Sequence, residues 1–220
     1  MKPFTQVSGV AAPLPRADVD TDAVIPVPWM KAIEPDYAKA LFANWRWKDG
    51  DGINEIPEFV LNRPPFREAC ILVAGTNFGC GSSREAAVWA LLGFGIRCVI
   101  APSFGDIFHE NSYKNGLLPL VLPEAQVEAL LKALAQGVGG SRMKVDLEAQ
   151  VVTAPDGSKR DFKIDASRRS ALLAGLDEVG VTLAQRDAIA AFQARDRELR
   201  PWIYQPPLDR PITPNEGRSQ

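Results

Sequence analysis

Apolar positions in this chain fall into short continuous runs separated by amphipathic stretches, and their spacing predicts most of the elements. Cys70-Ile71-Leu72-Val73-Ala74 has the length and β-branched content of a buried strand. Residues 86–92 contain no breaker and predict a helix stopped at Gly93. The same alternation follows in 98–101 (strand), 104–115 (helix, closed by Gly116), 118–122 (strand) and 123–134 (helix, with Pro123 at its start). Strands separated by helices argue for parallel pairing through helical crossovers. Residues 4–14 alternate weakly and predict a first strand, ended by Pro13 and Pro15. Residues 143–147, 150–154 and 160–164, the last two joined by Pro155-Asp156-Gly157, predict an antiparallel meander.

Between the first two strands the pattern is weaker. It predicts a helical turn at 28–31, a helix at 37–43, a loop at 48–52 and mixed extended chain at 57–65, whose prolines would confine any strand to an edge. Residues 166–199 are helical and amphipathic. From Pro201 to Gln220 five prolines with little apolar material predict an arm or a disordered tail. The reading is an α/β core with a helical C-terminal extension.

Composition narrows the function. With 220 residues, 46% of them hydrophobic, the chain can bury the core of one domain and carry an appendage. A formal charge of −2 gives no electrostatic case for nucleic acid or an acidic membrane surface. Gly93, Gly95 and Arg97 interrupt the longest apolar region, so no membrane span is expected. The N-terminus lacks the apolar core of a signal peptide, so the expectation is a cytoplasmic chain. Three scattered cysteines (Cys70, Cys80, Cys98) and one histidine (His109) cannot build a zinc site or hold an iron–sulfur cluster, which takes about four ligands. Cys70 and Cys98 read as core residues, Cys80 is open, and a lone helical histidine reads as structural.

Candidate chemistry concentrates in the turn after the 70–74 strand, Thr76-Asn77-Phe78-Gly79-Cys80-Gly81-Ser82-Ser83-Arg84-Glu85. It places two hydroxyls and a guanidinium at the expected start of a helix, where free N–H groups and the helix dipole favour an anion. Two readings compete there. Ser82-Ser83-Arg84-Glu85 fits a capping box, with Ser82 capping and Glu85 reaching back. Alternatively, Ser82, Ser83 and Arg84 form half of an active site. The turn lacks the phosphate-loop lysine, the G-x-G-x-x-G spacing and the G-x-S-x-G elbow. The acidic stretch 18–22 lacks the glycine and final glutamate of a calcium loop, and locally reads as a turn.

Residues 77–85 resemble the signature of the aconitase-superfamily swivel domain, in the form found in small subunits of 3-isopropylmalate dehydratase (LeuD type). The resemblance continues through 99–108, 115–119, 19–26 and Asn44-Trp45-Arg46. It implies a swivelling β/β/α fold (aconitase C-terminal-like) over residues 1–165, followed by a helical extension and proline-rich tail over 166–220. It also implies a hydro-lyase that interconverts 2-isopropylmalate and 3-isopropylmalate by dehydration and rehydration, in leucine biosynthesis. A paralogous dehydratase acting on methylmalate or dimethylmalate is the alternative. A purely structural or regulatory swivel domain would not need Ser82-Ser83-Arg84.

The same resemblance implies a large-subunit partner (LeuC type) bearing a [4Fe–4S] cluster that acts as Lewis acid, with none bound by this chain, and a hydroxy-diacid substrate. Ser82 would be the base, Ser83 would hydrogen-bond substrate, and Arg84 would grip a substrate carboxylate. Gly81, Thr21 and Asp22 would line the site, with Asp22 orienting polar groups. The chain departs from the family pattern in two places. Ala86-Ala87 stands where a histidine usually follows Arg-Glu, and Lys31-Ala32-Ile33-Glu34-Pro35-Asp36-Tyr37 replaces a loop that usually carries an arginine. The nearest downstream arginine is Arg46. An apolar Ile33 there favours an alkyl substituent over a third carboxylate.

Overall fold

The computed structural model describes residues 1–204. Strand β1 (Gln6–Leu14) is followed by the short helices α1 (Thr21–Val24), α2 (Val27–Met30), α3 (Tyr37–Ala40) and α4 (Ala43–Arg46), and then by β2 (Ala69–Ala74). Next come α5 (Ala86–Phe94), β3 (Cys98–Ala101), α6 (Asp106–Asn115), β4 (Leu118–Val121) and α7 (Glu124–Ala135). The meander β5 (Arg142–Asp146), β6 (Val151–Thr153) and β7 (Lys159–Asp161) leads to α8 (Ala166–Ala174), α9 (Glu178–Ala184) and α10 (Arg186–Leu199).

The strands form one sheet in the order β4-β3-β2-β1-β5-β6-β7. Strand β1 is its seam, parallel to β2 on one edge and antiparallel to β5 on the other. Side chains alternate between the two faces, as the period of a strand requires. Val10, Ala12, Leu72, Ala74, Val99 and Ala101 pack with Val24 of α1, Val88 and Leu91 of α5 and Phe108 of α6. Ala11, Ile71, Val73, Cys98 and Ile100 pack on the opposite face with Val127, Leu130 and Leu134 of α7. Both faces of the parallel half are therefore covered, which is why its strands read as unbroken apolar runs.

Several boundaries differ from expectation. The helix after β2 runs through Gly93 to Phe94 and ends at Gly95, which takes the left-handed conformation (φ 115°). Gly93 serves a close approach instead, because a Cβ there would lie 2.8 Å from Cβ of Tyr37. The expected 37–43 helix is split, because Phe42 adopts φ 50° between α3 and α4, held in an aromatic cluster with Trp45 and Phe59. Residues 57–65 contain no strand; Val60–Asn62 form a buried 3-10 turn.

Arg46 is buried beside that turn. It donates to Asn62 Oδ1 (3.2 Å) and to the carbonyls of Ala38 (2.7 Å) and Leu41 (3.3 Å), and its guanidinium lies over the rings of Trp47 and Phe94. Burial lowers its pKa to about 10.

By internal contacts the chain divides into Met1–Glu178 and Val179–Gln220. Helix α8, beyond the sequence boundary at 165/166, belongs to the first unit: Leu172 is buried in the α7-side core and its carbonyl accepts from the Phe4 N–H at 2.8 Å. In the second unit, Asp196 of α10 accepts from Arg200 Nε (2.6 Å) and Tyr204 Oη (2.8 Å), folding the 3-10 turn Pro201–Tyr204 back onto the helix end. Pro206, Pro207, Pro211 and Pro214, the rest of the expected proline-rich tail, lie outside the described residues.

Gly105, just before α6, has ordinary extended φ and ψ, so only space restricts it. A Cβ there would stand 2.5 Å from the Gly79 carbonyl oxygen and 3.0 Å from Cys80 Cα, both backbone atoms. Gly105→Ala is expected to lower stability by about 1–3 kcal/mol, as overpacking does. The check is the urea midpoint, and an unchanged midpoint would mean that the two loops separate freely.

Candidate active site

The loops that leave the carboxyl ends of β1, β2 and β3 pair with one another through their backbones. The Gly75 N–H donates to Arg16 O (3.1 Å), Asp18 N–H to Thr76 O (2.9 Å), Gly79 N–H to Val19 O (2.7 Å) and Thr21 N–H to Cys80 O (3.0 Å). On the other side, Phe78 N–H donates to Ser103 O (3.1 Å) and Gly105 N–H to Phe78 O (2.9 Å). Side chains lock the same loops. Asn77, at φ 57°, donates through Nδ2 to Asp18 Oδ1 (2.7 Å), and Ser103 Oγ accepts from the Asn77 N–H (2.9 Å). Phe78 is fully buried edge-on to Phe104 and Phe108, and anchors the turn. Gly79 (φ 75°) has to be glycine, because a Cβ would overlap the Phe108 ring at 2.2 Å.

Beyond Gly79 the chain turns outward and exposes its chemistry. Gly81, Ser82 and Ser83 are exposed, and Thr21 Oγ1 donates to the Ser82 carbonyl at 2.6 Å. Among the described residues, no hydrogen bond engages the Ser82 or Ser83 hydroxyl, and no backbone partner takes the N–H groups of 82–86. Arg84 is mostly buried, with a side-chain exposure of 21%, and its Nη1 forms an ion pair with Asp22. A cleft of about 260 Å³ lies between residues 79–83 and 105–108.

The structure therefore brings together Gly81, Ser82, Ser83, Arg84, Thr21 and Asp22; Gly81, Ser82 and Ser83 line the cleft, and Thr21, Asp22 and Arg84 adjoin the turn without lining it. It does not bring Ile33, which is fully exposed in the loop between α2 and α3 and outside the cleft wall. It also removes the capping box. The residue preceding α5 is Glu85, in helical conformation with no side-chain cap, and the helix starts at Ala86. Ser82 thus stands four residues before the helix and caps nothing. Glu85 Oε1 instead accepts from Asn115 Nδ2 of α6 at 2.7 Å.

The remaining candidates fall outside the chemistry. Arg46 is committed to carbonyls and cannot stand in for the arginine missing from the 31–37 loop. The Cys80 thiol pKa is pushed up by burial and by Asp20 and Asp18, so it stays protonated at neutral pH. His109 packs against Phe104 and Tyr113 with Arg168 near its Nδ1, and burial and then Arg168 lower its pKa. The second cleft wall, 105–108, was not among the expected site residues. Its signal is present, because Ser103-Phe104-Gly105-Asp106 repeats the strand–glycine turn–helix pattern one strand further on.

Among the described residues no group of three histidine, cysteine or acidic side chains could hold a metal, and no helix is long and apolar enough to cross a membrane.

A sheet half parallel and half antiparallel, with an open polar turn at the carboxyl ends of its parallel strands, defines an aconitase C-terminal-like domain. The family model described as the aconitase C-terminal domain matches residues 1–125, and LeuD_N matches 128–166. A third model, for the C-terminal domain of the 3-isopropylmalate dehydratase small subunit, matches 178–204. Small subunits of 3-isopropylmalate dehydratase from Ruegeria pomeroyi and Jannaschia sp. are 49% and 52% identical over 92% of this chain and 100% of their own length. The crystal structure of 3-isopropylmalate dehydratase (leuD) from Methanocaldococcus jannaschii superposes with a TM-score of 0.60 at 29% identity, over 86% of this chain and 99% of that one. The chain belongs to the family of 3-isopropylmalate dehydratase small subunits.

Two outcomes follow for the free chain. Ser82→Ala should change unfolding free energy by no more than about 0.5 kcal/mol, because the side chain is exposed and caps nothing. A loss near the ~1 kcal/mol of a broken cap would restore the capping assignment. Cys80 should react slowly with iodoacetamide at pH 7, and its rate should still be rising at pH 9, because only the thiolate attacks and the thiol pKa is raised. Rapid labelling at pH 7 would contradict this.

Proposed function

We propose that this chain is the small-subunit half of a cytoplasmic hydro-lyase that interconverts 2-isopropylmalate and 3-isopropylmalate, working with a large subunit that carries a [4Fe–4S] cluster. The observation that carries the reading is the exposed pair Ser82 and Ser83. Their hydroxyls have no partner among the described residues and line the cleft between 79–83 and 105–108, directly before a mostly buried Arg84. That is half a site. The cysteines of this chain do not fit a cluster. Cys98 is fully buried, and Cys70 and Cys98 lie in neighbouring strands, whereas Cys80 lies in the active turn. The cluster is assigned to the partner.

In this reading Ser82 takes the proton from the substrate carbon. A serine hydroxyl is a weak base unless its anion is stabilised, and fixed backbone donors and a nearby cation supply that stabilisation. Here they are Arg84 and the N–H groups of 82–86, which have no backbone partner among the described residues. Helix α5 contributes less than a serine at its first turn would receive, because the dipole effect fades within one turn.

Asp22 forms an ion pair with Nη1 of Arg84, without hydrogen-bond geometry, and so keeps the guanidinium beside the turn. The remaining donors are left for a substrate carboxylate, as a planar fork can present them. Ser83 hydrogen-bonds the substrate or the neighbouring alkoxide, and Gly81 and Thr21 shape the turn that presents both serines. Apolar contact for the alkyl branch is available from Ile107 in the cleft wall, which is 51% exposed. Ile33 adds to it only if its loop folds over the cleft.

The test is turnover by this chain assembled with its large subunit, offered 2-isopropylmalate, methylmalate, dimethylmalate and citrate. Isopropylmalate should be preferred and citrate rejected; preference for citrate would overturn the reading. In the same assay Ser82→Ala should lower kcat by at least about 10²–10⁴-fold, the usual scale of lost general-base catalysis. Arg84→Lys should be nearly as damaging as Arg84→Ala, because an ammonium cannot reproduce the planar fork.

A further inference from the structure

Asn115 lies at the end of α6, at the far end of that helix from the cleft wall at 105–108, and its side chain makes three hydrogen bonds. Its Nδ2 donates to Glu85 Oε1 (2.7 Å) and to the Asn111 carbonyl (2.9 Å), and its Oδ1 accepts from Trp89 Nε1 (3.0 Å). A carboxamide offers two donors and an oxygen with two lone pairs, and both donors and one lone pair are used here. Glu85 follows Arg84 directly, and the Arg84 carbonyl accepts from the Ala87 N–H at 3.1 Å as the chain enters α5. Trp89, one turn along α5, packs edge-on to Tyr37, with ring centroids 5.6 Å apart. Tyr37 closes the 31–37 loop that differs from the family pattern. One amide thus meets the residue after the active turn, the helix carrying the second cleft wall, and the indole packed against the variable loop.

We infer that Asn115 is a positioning residue for the reaction. It clamps Glu85, sets the entry of the chain into α5, and thereby fixes Ser82 and Arg84 against the wall supplied by α6. Glu85 needs the clamp because it makes no cap of its own. With its carboxylate released, the turn from Gly81 to Glu85 keeps the Thr21 hydrogen bond, the Asp22 ion pair and the backbone bonds that α5 makes to the Arg84 and Glu85 carbonyls, but loses its side-chain tie to α6. Misplacement of catalytic groups by fractions of an ångström is enough to cost an order of magnitude in rate.

The inference rests on the function proposed above, and its test separates the two. In the assembled enzyme Asn115→Ala should lower kcat about 10-fold with a smaller change in KM. Asn115→Asp should be at least as harmful, because it sets a second carboxylate against Glu85. The double variant Asn115→Asp/Glu85→Gln should recover most of the lost rate, since the new amide donates to the new carboxylate. A role confined to general stability would not predict that recovery.

A readout independent of turnover is the ¹⁵N order parameters of the Ser82–Glu85 amides in the free chain. They should fall in Asn115→Ala and return in the double variant. Wild-type kcat in both single variants, or unchanged order parameters, would overturn the assignment even if isopropylmalate is the substrate. Conversely, an assembled wild-type enzyme inactive on isopropylmalate would defeat the proposed function, while lowered order parameters would still support the clamp.

Discussion

The site depends on backbone pairing between three loops that would otherwise end at the sheet edge. Six N–H to carbonyl bonds tie 16–21, 75–80 and 103–105 into an extension of the parallel sheet beyond its strands. Such pairing needs loops at backbone distance, so it needs residues without Cβ at the crossings; Gly75 and Gly105 supply them, and Gly79 makes room for the Phe108 ring. Each would drive a Cβ to within 2.6 Å of a neighbouring atom if it were alanine. Ligand sites at the carboxyl ends of parallel strands are a general property of such sheets. In this chain the loops have been zipped together first, so the polar residues after Gly79 leave from a rigid base.

That rigidity fits a site presented half-open. Ser82 and Ser83 are hydrated in the free chain, where a hydroxyl has no reason to lose its proton. Covering the cleft removes competing water and strengthens every local dipole, which is when the backbone donors of 82–86 become valuable. The mostly buried Arg84 and Asp22 are the exception, because they already form an ion pair in the free chain.

The sequence made the parallel half of the sheet legible because its strands are buried on both faces and appear as bounded apolar runs. It made Ser82, Ser83, Arg84, Thr21 and Asp22 legible as a group through family resemblance, and the chain does bring them together. The failures have a common physical origin in contacts between distant segments. Gly93 reads as a stop, yet it is small to admit Tyr37. Phe42 reads as helical, yet an aromatic cluster holds it at positive φ. Glu85 reads as half of a capping box, yet its partner is Asn115, 30 residues on. Ile33 was expected to meet substrate, and nothing in the order of residues says how far the 31–37 loop stands from the cleft.

The seam position of β1 also shapes how the molecule comes into being. Its residues are made before those of every other strand in the sheet, yet one edge pairs from Val10 with Ala69 onward and the other waits for Arg142–Asp146. For most of synthesis this apolar strand has an unfilled hydrogen-bonding edge, the kind that recruits strands from other chains. Closing it joins Val10 to Arg142 and Gln6 to Asp146, segments far apart in the chain, a late and slow event by the logic of contact order. The central strand of the finished sheet is thus completed late, and chaperones have a long opportunity there.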